Sequence, residues 1–437
     1  MYDLAILNGR CWLDGQWQSV HLYIKDGKIA RHDRSIHSAE ASYDAAGRRV
    51  IPGLIDSHVH FAMNAGRYIS SDDFYSGGYA AAHGGVTTVI DFLDPFPTAA
   101  ELIAEHDRRL EQAEQCPIDY AFHSSVADPT DELEQHIALS LSWGMPSIKV
   151  YTTYKPDLYA PPRVLTALLN RSSAGDLLMM VHAEDDRRID HTPHGVSAHG
   201  ISRPVEAELA EVDWLGMETD RTGGYCYIAH VSAGSTARMV REKYGHLLGR
   251  QLFLESCPHY FLFDDSWYAE PSACLATMTP PLRSLRELEL LKTGISDIWA
   301  VSTDHCPFMK AEKDHQVTRD IPMGIGGVEH SFSQMWALFG DAVIDRFTEK
   351  PARLQGLWPR KGGLNAGADA DVVILDEFPR IIQPVEYSRC DYSLYAGCIA
   401  PVTAQTVLVR GEFVLCDGVN VPHQGCFLPR RLDLKHR

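Results

Sequence analysis

The middle of the chain alternates eight times between a short apolar segment and a longer amphipathic one. The apolar segments, rich in β-branched residues, are Val50–Ile55, Val86–Phe92, Tyr120–Val126, Ser147–Tyr151, Leu177–His182, Tyr225–Val231, Leu252–Glu255 and Trp299–Thr303. The segments between them, such as Thr98–Gln115 and Thr236–Leu248, carry apolar residues at helical spacing. Eight strand and helix units over about 250 residues predict an α/β fold of the (β/α)8 TIM barrel type, with an open doubly wound sheet as the alternative.

Both ends of the chain carry a different pattern. In the first 50 residues, short apolar runs are separated by Asn8-Gly9, Asp14-Gly15 and Asp26-Gly27, pairs that favour hairpin turns because both residues can adopt positive φ. Similar strand-like runs return at Asp371–Leu375 and Thr406–Leu415. We therefore expect a small β-sandwich domain built from both termini, residues 1–50 and 356–437, and a barrel domain at 51–355.

Composition excludes several classes of protein. The 40 Lys and Arg residues against 58 Asp and Glu residues give a formal charge of −18, which argues against nucleic acid or an anionic membrane surface as a partner. No run approaches the roughly 18 apolar residues of a membrane span, and Met1–Ala5 does not begin a secretory signal. The ten cysteines form no CxxC pair, which indicates reduced thiols. We expect a cytoplasmic protein without a membrane partner.

Polar residues with metal-binding chemistry recur where the predicted barrel strands end, which is where active sites lie in such barrels. They are His58 and His60 after the first strand, Lys149 within the fourth, and His182, His230 and Asp304 at the ends of the fifth, sixth and eighth. Any one of them alone could be a core or surface residue, and Lys149 could be a rim lysine whose ammonium reaches water. Together they predict a site for two divalent metal ions, most simply zinc. A lysine that has reacted with carbon dioxide to form a carbamate could bridge the two ions, where an ammonium would repel them.

These residues resemble those of the amidohydrolase superfamily, and the chain is most similar to its hydantoinase/dihydropyrimidinase branch. The motifs that carry the resemblance, besides the metal-binding residues, are Asp72–Gly77, Gly84–Phe92, Lys149–Lys155, Glu255–Tyr260, Met278–Arg283, Gly326–Glu329 and Pro359–Gly362. They occur in order over nearly the whole length of the chain. Several ordered blocks are far more specific than any single motif.

The resemblance implies a set of metal ligands and a reaction. The ligands are His58, His60 and Asp304 for one ion, His182 and His230 for the other, and carbamylated Lys149 as the bridge. A hydroxide between the two ions would open the cyclic amide bond of a hydantoin or dihydropyrimidine-like ring. Asp304 would act as general base towards the bridging water and then as general acid towards the departing ring nitrogen.

The resemblance also implies residues that bind the substrate. Tyr154 matches the tyrosine that hydrogen-bonds the ring carbonyl as it becomes an oxyanion. Thr279 stands where the family usually has serine, at a position whose backbone contacts the ring amide. Met323 replaces an asparagine that helps to hold the ring, and this change alters substrate choice if the asparagine acts through its side chain.

Three loops are expected to shape the pocket for the ring substituent, namely Ala62–Tyr68, Leu93–Phe96 and Tyr154–Tyr159. Their aromatic residues Phe96, Tyr68 and Tyr159 are candidates for an apolar lining, although aromatic residues are also common on protein surfaces.

Three rival functions stay open. Dihydroorotase generally needs an arginine just after the HxH motif, whereas Phe61 follows here and Arg67 lies further along. Allantoinase is harder to exclude. A non-catalytic assembling scaffold, known among relatives that have lost their ligands, is disfavoured because all six ligand positions are filled. Relatives commonly form homotetramers, and the short segment after the last predicted strand leaves a homodimer or a homotetramer open.

Overall fold

The computed structural model describes residues 1–96, 98–128 and 132–436. Its strands, in chain order, are β1 (Tyr2–Leu13), β2 (Gln16–Lys25), β3 (Lys28–Asp33), β4 (Ala39–Asp44), β5 (Arg49–Pro52), β6 (Leu54–Asp56), β7 (Asn64–Ala65), β8 (Tyr68–Ile69), β9 (Val86–Phe92), β10 (Asp119–Ser125), β11 (Ser147–Tyr151), β12 (Leu178–His182), β13 (Cys226–Ile228), β14 (Leu252–Ser256), β15 (Ile298–Val301), β16 (Val372–Asp376), β17 (Arg380–Ile381), β18 (Ile399–Ala400), β19 (Thr403–Val409), β20 (Glu412–Cys416) and β21 (Val419–Asn420). Its α-helices are α1 (Phe74–His83), α2 (Ala99–Ala113), α3 (Leu133–Ser142), α4 (Pro162–Ser172), α5 (His199–Ser202), α6 (Val205–Thr222), α7 (Gly234–Tyr244), α8 (Pro258–Leu262), α9 (Leu285–Thr293), α10 (Lys310–Lys313), α11 (Ser331–Phe339), α12 (Ile344–Phe347) and α13 (Glu349–Leu354).

Eight parallel strands form the sheet at the centre of the molecule. Their order is β6-β9-β10-β11-β12-β13-β14-β15, so each strand pairs with the next one along the chain. The two ends of this sheet also meet, because Val59 and His305 form a parallel bridge and the His60 amide donates to the His305 carbonyl at 2.9 Å. The sheet is therefore a nearly closed barrel, which confirms the predicted (β/α)8 fold over the open doubly wound sheet.

A second sheet is drawn from both ends of the chain. Its nine strands run in the order β21-β20-β19-β16-β5-β1-β2-β3, and β4 pairs with β1 at a branch. The sheet has its own buried apolar cluster, in which Ile6 and Leu22 from the start of the chain pack with Ile374 and Leu408 from its end. This confirms the prediction that the two termini build one strand-rich unit, and its strands form one continuous, branching sheet.

The first predicted strand is divided between the two sheets. β5 pairs with β1 and β16 in the terminal sheet, whereas β6 pairs with β9 in the barrel. Gly53 lies between them, where an added Cβ would overlap the Thr87 hydroxyl, so the chain can cross only without a side chain at this point. The crossing aims the next residues at the barrel mouth. The domain limits at 50 and 355 stay a prediction, and β5 continues two residues past the first of them.

Helices follow most barrel strands. α1 follows the loop after β6 and begins with a capping box. The Asp73 side chain accepts a hydrogen bond from the Ser76 amide, and the Ser76 hydroxyl accepts one from the Asp73 amide. α6 ends at Gly223, which adopts a left-handed φ of 69°. Within the described ranges, no helix is long and apolar enough to cross a membrane.

Candidate active site

The six predicted metal-binding residues meet at the carboxyl-terminal mouth of the barrel. His58 and His60 follow β6, Lys149 lies within β11, His182 ends β12, His230 follows β13 and Asp304 follows β15. Parallel strands bring these ends to one side of the sheet, which is why residues nearly 250 positions apart in sequence can share a site.

Asp304 joins the two histidines of the HxH motif. Its Oδ1 lies 3.2 Å from the Nε2 of His58 and 3.0 Å from the Nε2 of His60. Burial opposes ionisation of this carboxyl, but the two neighbouring imidazoles hold the pKa of Asp304 well below its usual range. Asp304 therefore remains a carboxylate, and its side chain keeps 17% exposure, enough to be reached from the barrel mouth.

The other two histidines face one another. The Nδ1 of His182 lies 3.0 Å from the Nε2 of His230. Ligand atoms of His58, His230 and Asp304 all lie within 4.8 Å of one another, so the two groups of residues form one cluster.

Buried carboxylates fix which ring nitrogens remain available. Glu255 Oε1 lies 2.7 Å from the Nδ1 of His58, and Glu184 Oε2 lies 2.7 Å from the Nε2 of His182. Since an ionised carboxylate only accepts, these two nitrogens carry the hydrogens. The opposite nitrogens, His58 Nε2 and His182 Nδ1, point into the cluster, where they face Asp304 Oδ1 and His230 Nε2.

The donor set fits divalent metal ions. Imidazole nitrogens backed by carboxylates, together with one aspartate, are the ligands that zinc prefers in a site without thiolates. In addition, the buried Nδ1 of His230 has no hydrogen-bond partner within the described part of the chain. With its hydrogen on Nε2, His182 presents the lone pair of Nδ1 to the Nε2 of His230, so either a hydrogen on that nitrogen or a bound cation can fill the space between the two rings.

Lys149 lies inside the cluster and not at its rim. It is 1% exposed, and its Nζ is 3.4 Å from the Nε2 of His58. The rings of Phe92 and Tyr151 lie 5.0 and 5.3 Å away. Burial lowers the pKa of Lys149 to about 8, so a larger fraction of this lysine is an uncharged, nucleophilic amine than at an exposed position. This buried position argues against the alternative of a rim lysine whose ammonium reaches water.

Tyr154 and Thr279 meet next to the cluster of candidate metal ligands. The Tyr154 hydroxyl lies 2.5 Å from the Thr279 Oγ1, and its ring is 5.1 Å from the ring of His182. Burial raises the pKa of Tyr154 to about 12, so its hydroxyl keeps its proton and can donate it in a hydrogen bond. The two predicted substrate-binding residues thus lie side by side, although 125 positions separate them in sequence.

Three of the site residues have left-handed backbone conformations. The φ angles of Tyr154, His230 and Asp304 are 69°, 38° and 50°. Non-glycine residues adopt such angles at a cost of about 1–3 kcal/mol each, and they do so mostly where the surrounding structure holds a functional side chain in a required direction. All three residues lie at the carboxyl-terminal mouth of the barrel, next to the ends of β11, β13 and β15.

A cavity of about 350 Å³ opens beside Tyr154 and Thr279. Met323, Ile189 and Ile321 supply apolar lining, and Arg203 lines it as well. The volume is within the range of small-molecule sites. The structure therefore brings Met323 together with Tyr154 and Thr279.

The three candidate pocket aromatics lie elsewhere around the mouth. The Tyr68 hydroxyl contacts the Nε2 of His315 at 2.9 Å, and the backbone carbonyl of Phe96 lies 3.1 Å from the Nε2 of His136. Tyr159 lines a separate cavity of about 260 Å³, and the Lys155 ammonium lies 4.3 Å from the centre of its ring. None of the three lines the cavity beside Tyr154 among the described residues, and their role stays a prediction.

Sequence reasoning assigned no role to the carboxylates behind the histidines. Glu255 occurs only within a motif of the resemblance, and Glu184 lies two residues beyond the end of the fifth predicted strand. The sequence does contain a signal for them, namely a carboxylate at or just after the end of an apolar strand. A buried carboxylate there needs a hydrogen-bonding or charged partner. Arg203, which pairs with Glu184, lies on a connecting segment with no such signal.

Comparison with known proteins agrees with this geometry. The model of the Amidohydrolase family matches residues 49–414. The D-phenylhydantoinase of Escherichia coli O81 (strain ED1a) is 34% identical over 422 residues, which cover 89% of each chain. The D-phenylhydantoinase of Escherichia coli (strain 55989 / EAEC) is 33% identical with 96% of each chain covered.

Solved structures are similar over the full length. A D-hydantoinase crystal structure superposes with a TM-score of 0.92 at 30% identity, covering 98% of this chain and 99% of the other. The dihydropyrimidinase from Brevibacillus agri gives a TM-score of 0.91 at 27% identity with the same coverage. The chain belongs to the amidohydrolase family, in its hydantoinase/dihydropyrimidinase branch.

Proposed function

We propose that this enzyme hydrolyses the cyclic amide bond of a hydantoin or dihydropyrimidine-like ring to give an N-carbamoyl amino acid. The observation that carries the proposal is the convergence of Tyr154 and Asp304 with four histidines at the barrel mouth, beside a cavity of about 350 Å³. The names of the relatives support the same substrate class, since they are hydantoinases and a dihydropyrimidinase.

The residues would hold two divalent ions, most simply zinc. His58, His60 and Asp304 would bind one ion, His182 and His230 the other, and a carbamate on Lys149 would lie between them. When bound, the two ions would lower the pKa of a shared water to supply the attacking hydroxide, and would polarise the carbonyl that it attacks. The carbamate forms when the Lys149 amine adds to carbon dioxide and releases a proton, which replaces a buried cation by an anion suited to this site.

Asp304 would move the proton that the reaction requires. It is a carboxylate that contacts both HxH histidines, and its side chain is 17% exposed. As a general base it would accept a proton from the attacking water, and as a general acid it would pass that proton to the ring nitrogen when the carbon–nitrogen bond breaks.

Tyr154 would stabilise the charge that develops on the carbonyl oxygen. Its hydroxyl can donate only one hydrogen bond, so Thr279 must donate to the Tyr154 oxygen if the tyrosine proton is to reach the substrate. A donor in place before the reaction stabilises the transition state more than the ground state. Met323 lines the same cavity and would contact the ring or its substituent.

Replacing Tyr154 with Phe should lower kcat by about 10²- to 10³-fold, the usual cost of removing one oxyanion donor. Zinc content should be unchanged, because Tyr154 is not a ligand. Steady-state kinetics and metal analysis on the same preparation check this. The matched control is Tyr244→Phe, whose hydroxyl bonds Asp213 between two outer helices. Equal kcat in Tyr154→Phe and the wild type would remove this residue from the reaction.

A panel of ring substrates tests the proposed function. It contains hydantoin, 5-phenylhydantoin, dihydrouracil, allantoin and dihydroorotate, with zinc content measured for each preparation. We expect 5-phenylhydantoin or dihydrouracil to be opened fastest, and dihydroorotate at least about 100-fold more slowly in kcat/KM, because no arginine directly follows the HxH motif and Arg203 beside the cavity already pairs with Glu184. If dihydroorotate or allantoin were opened fastest, the chain would instead be a dihydroorotase or an allantoinase, and the proposal would be wrong. Arg67 gives no support to dihydroorotase, because it is exposed and donates to the Asp320 carbonyl at 2.6 Å.

A further inference from the structure

We propose that the buried ion pair of Arg203 and Glu184 is a positioning unit that holds the oxyanion donor Tyr154 and the metal-binding His182 in one arrangement. Arg203 would act through Tyr154, and Glu184 would act through His182. The proposal rests on the proposed function, in which Tyr154 donates to the carbonyl oxygen and His182 would hold one of the metal ions.

Glu184 is the point at which the two halves of the unit meet. It is fully buried, and its Oε2 accepts from the Nε2 of His182 at 2.7 Å. The same oxygen accepts from Arg203 Nη2 at 2.5 Å, and Arg203 Nε lies 3.2 Å from both carboxylate oxygens. A single carboxylate thus orients a metal ligand and anchors a guanidinium.

Arg203 lies over the face of Tyr154. Its guanidinium carbon is 5.1 Å from the centre of the Tyr154 ring, within the range of a cation–π contact. Only 10% of the Arg203 side chain is exposed, and its backbone carbonyl is held by Nη1 of Arg283 at 2.5 Å. Arg203 is therefore held at its backbone by Arg283 and at its guanidinium by Glu184, and the guanidinium covers one face of the Tyr154 ring.

This contact has a chemical consequence for Tyr154. As the tyrosine donates its hydrogen bond to a developing oxyanion, negative charge accumulates on the phenol ring and oxygen. A fixed cation at the ring face and the Thr279 hydroxyl at the oxygen both favour that charge. Arginine suits this role better than lysine, because its planar fork can grip a carboxylate at two points while its face stacks on a ring.

The same segment offers a matched control pair. Arg187 binds Asp185, the residue after Glu184, with Nε to Oδ1 at 2.8 Å and Nη2 to Oδ2 at 3.0 Å. The Arg187 side chain is 82% exposed, so this ion pair is worth little. Arg187→Met therefore removes an arginine–carboxylate pair from the same stretch of chain without touching Tyr154 or His182.

The test is a double-mutant cycle of Arg203→Met with Tyr154→Phe, using turnover of 5-phenylhydantoin or of the fastest panel substrate. Alone, Arg203→Met should lower kcat by about 10- to 100-fold with KM changed less than about 3-fold, the pattern of a lost transition-state interaction. When Tyr154→Phe is already present, adding Arg203→Met should lower kcat by less than about 3-fold, because the effects of substituting residues that act as a unit are not additive. Arg203→Met should keep its zinc, and Arg187→Met should match the wild type in both measurements.

Glu184→Gln tests the other half of the unit without any substrate. It should weaken zinc binding by about 10- to 100-fold in a chelator competition, the usual effect of changing the partner of a ligating histidine. A second substrate-free measurement uses protein labelled with 3-fluorotyrosine, in which Tyr154→Phe identifies the Tyr154 resonance. That resonance should shift in Arg203→Met and in Arg203→Lys, and stay in place in Arg187→Met.

Additive losses in the cycle, or a Tyr154 resonance unmoved by both Arg203 variants, would overturn the role assigned to Arg203. Wild-type zinc affinity in Glu184→Gln would overturn the role assigned to Glu184. Arg203→Lys keeps the charge and serves in the same cycle if Arg203→Met does not fold. Absence of turnover across the whole substrate panel would contradict the proposed function instead, and the fluorine and zinc measurements would still decide the positioning unit.

Discussion

Asp304→Asn is expected to retain zinc and to lose turnover by about 10²- to 10⁴-fold, the usual contribution of a general acid–base group. Asparagine has nearly the same shape as aspartate and keeps an oxygen that can face the Nε2 atoms of His58 and His60, which lie 3.2 and 3.0 Å from Oδ1. An amide cannot accept the proton of the attacking water at neutral pH. The substitution therefore separates the metal-binding role of Asp304 from its role in proton transfer.

Two measurements on the same preparation check this result, namely zinc per chain and kcat for the fastest panel substrate. Asp213→Asn is the control, because Asp213 lies in an exposed ion pair with Lys243. Turnover at the wild-type rate in Asp304→Asn would show that another group carries the proton. Complete loss of zinc would show that the carboxylate charge is needed for binding itself.

Lys149→Ala is expected to have the largest effect of any single substitution. Removing the side chain removes the carbamate that would lie between the two ions, and leaves a void among fully buried groups. We expect zinc to fall below two per chain and kcat to fall by about 10³-fold or more, since metal activation is worth several kcal/mol and each 1.4 kcal/mol is tenfold. Metal analysis and kinetics at a fixed zinc concentration measure both effects.

A short carboxylate such as acetate or propionate should restore part of the zinc content and activity of Lys149→Ala, because it can occupy the void and supply two oxygens. The control is Lys243→Ala, which removes a surface lysine whose side chain is 55% exposed. Two zinc ions per chain in Lys149→Ala without any added carboxylate would contradict the bridging role of this lysine.

The sequence was sufficient to predict the barrel and its cluster of candidate metal ligands for a definite reason. Strand and helix periodicities are local, so eight alternating segments specify the fold without knowledge of any contact. The fold then places every strand end at one mouth, so His58, His182 and Asp304 could be grouped by position alone. Strand position alone left two interpretations of Lys149 open, a rim lysine and a buried bridge, and the structure decides between them because the residue is 1% exposed.

Contacts between loops could not be predicted in this way. The Arg203–Glu184 pair and the Tyr154–Thr279 contact join segments whose approach depends on how long connections fold back over the barrel mouth. The pocket aromatics illustrate the same difficulty, since Tyr159 lines a different cavity from Tyr154 although both lie in one predicted loop. The division of the first strand at Gly53 also escaped prediction, because the run Val50–Ile55 is continuously apolar while its two halves pair in different sheets.

The central claim is that this chain opens a cyclic amide with two metal ions held at the barrel mouth. The most direct test is a zinc titration of metal-free protein in bicarbonate buffer, with ring opening of 5-phenylhydantoin, or of the fastest panel substrate, recorded at each step. We predict that activity is absent without metal and rises to a break at two zinc ions per chain. Full activity in the metal-free protein, or a break at one zinc ion with no further gain, would contradict the account.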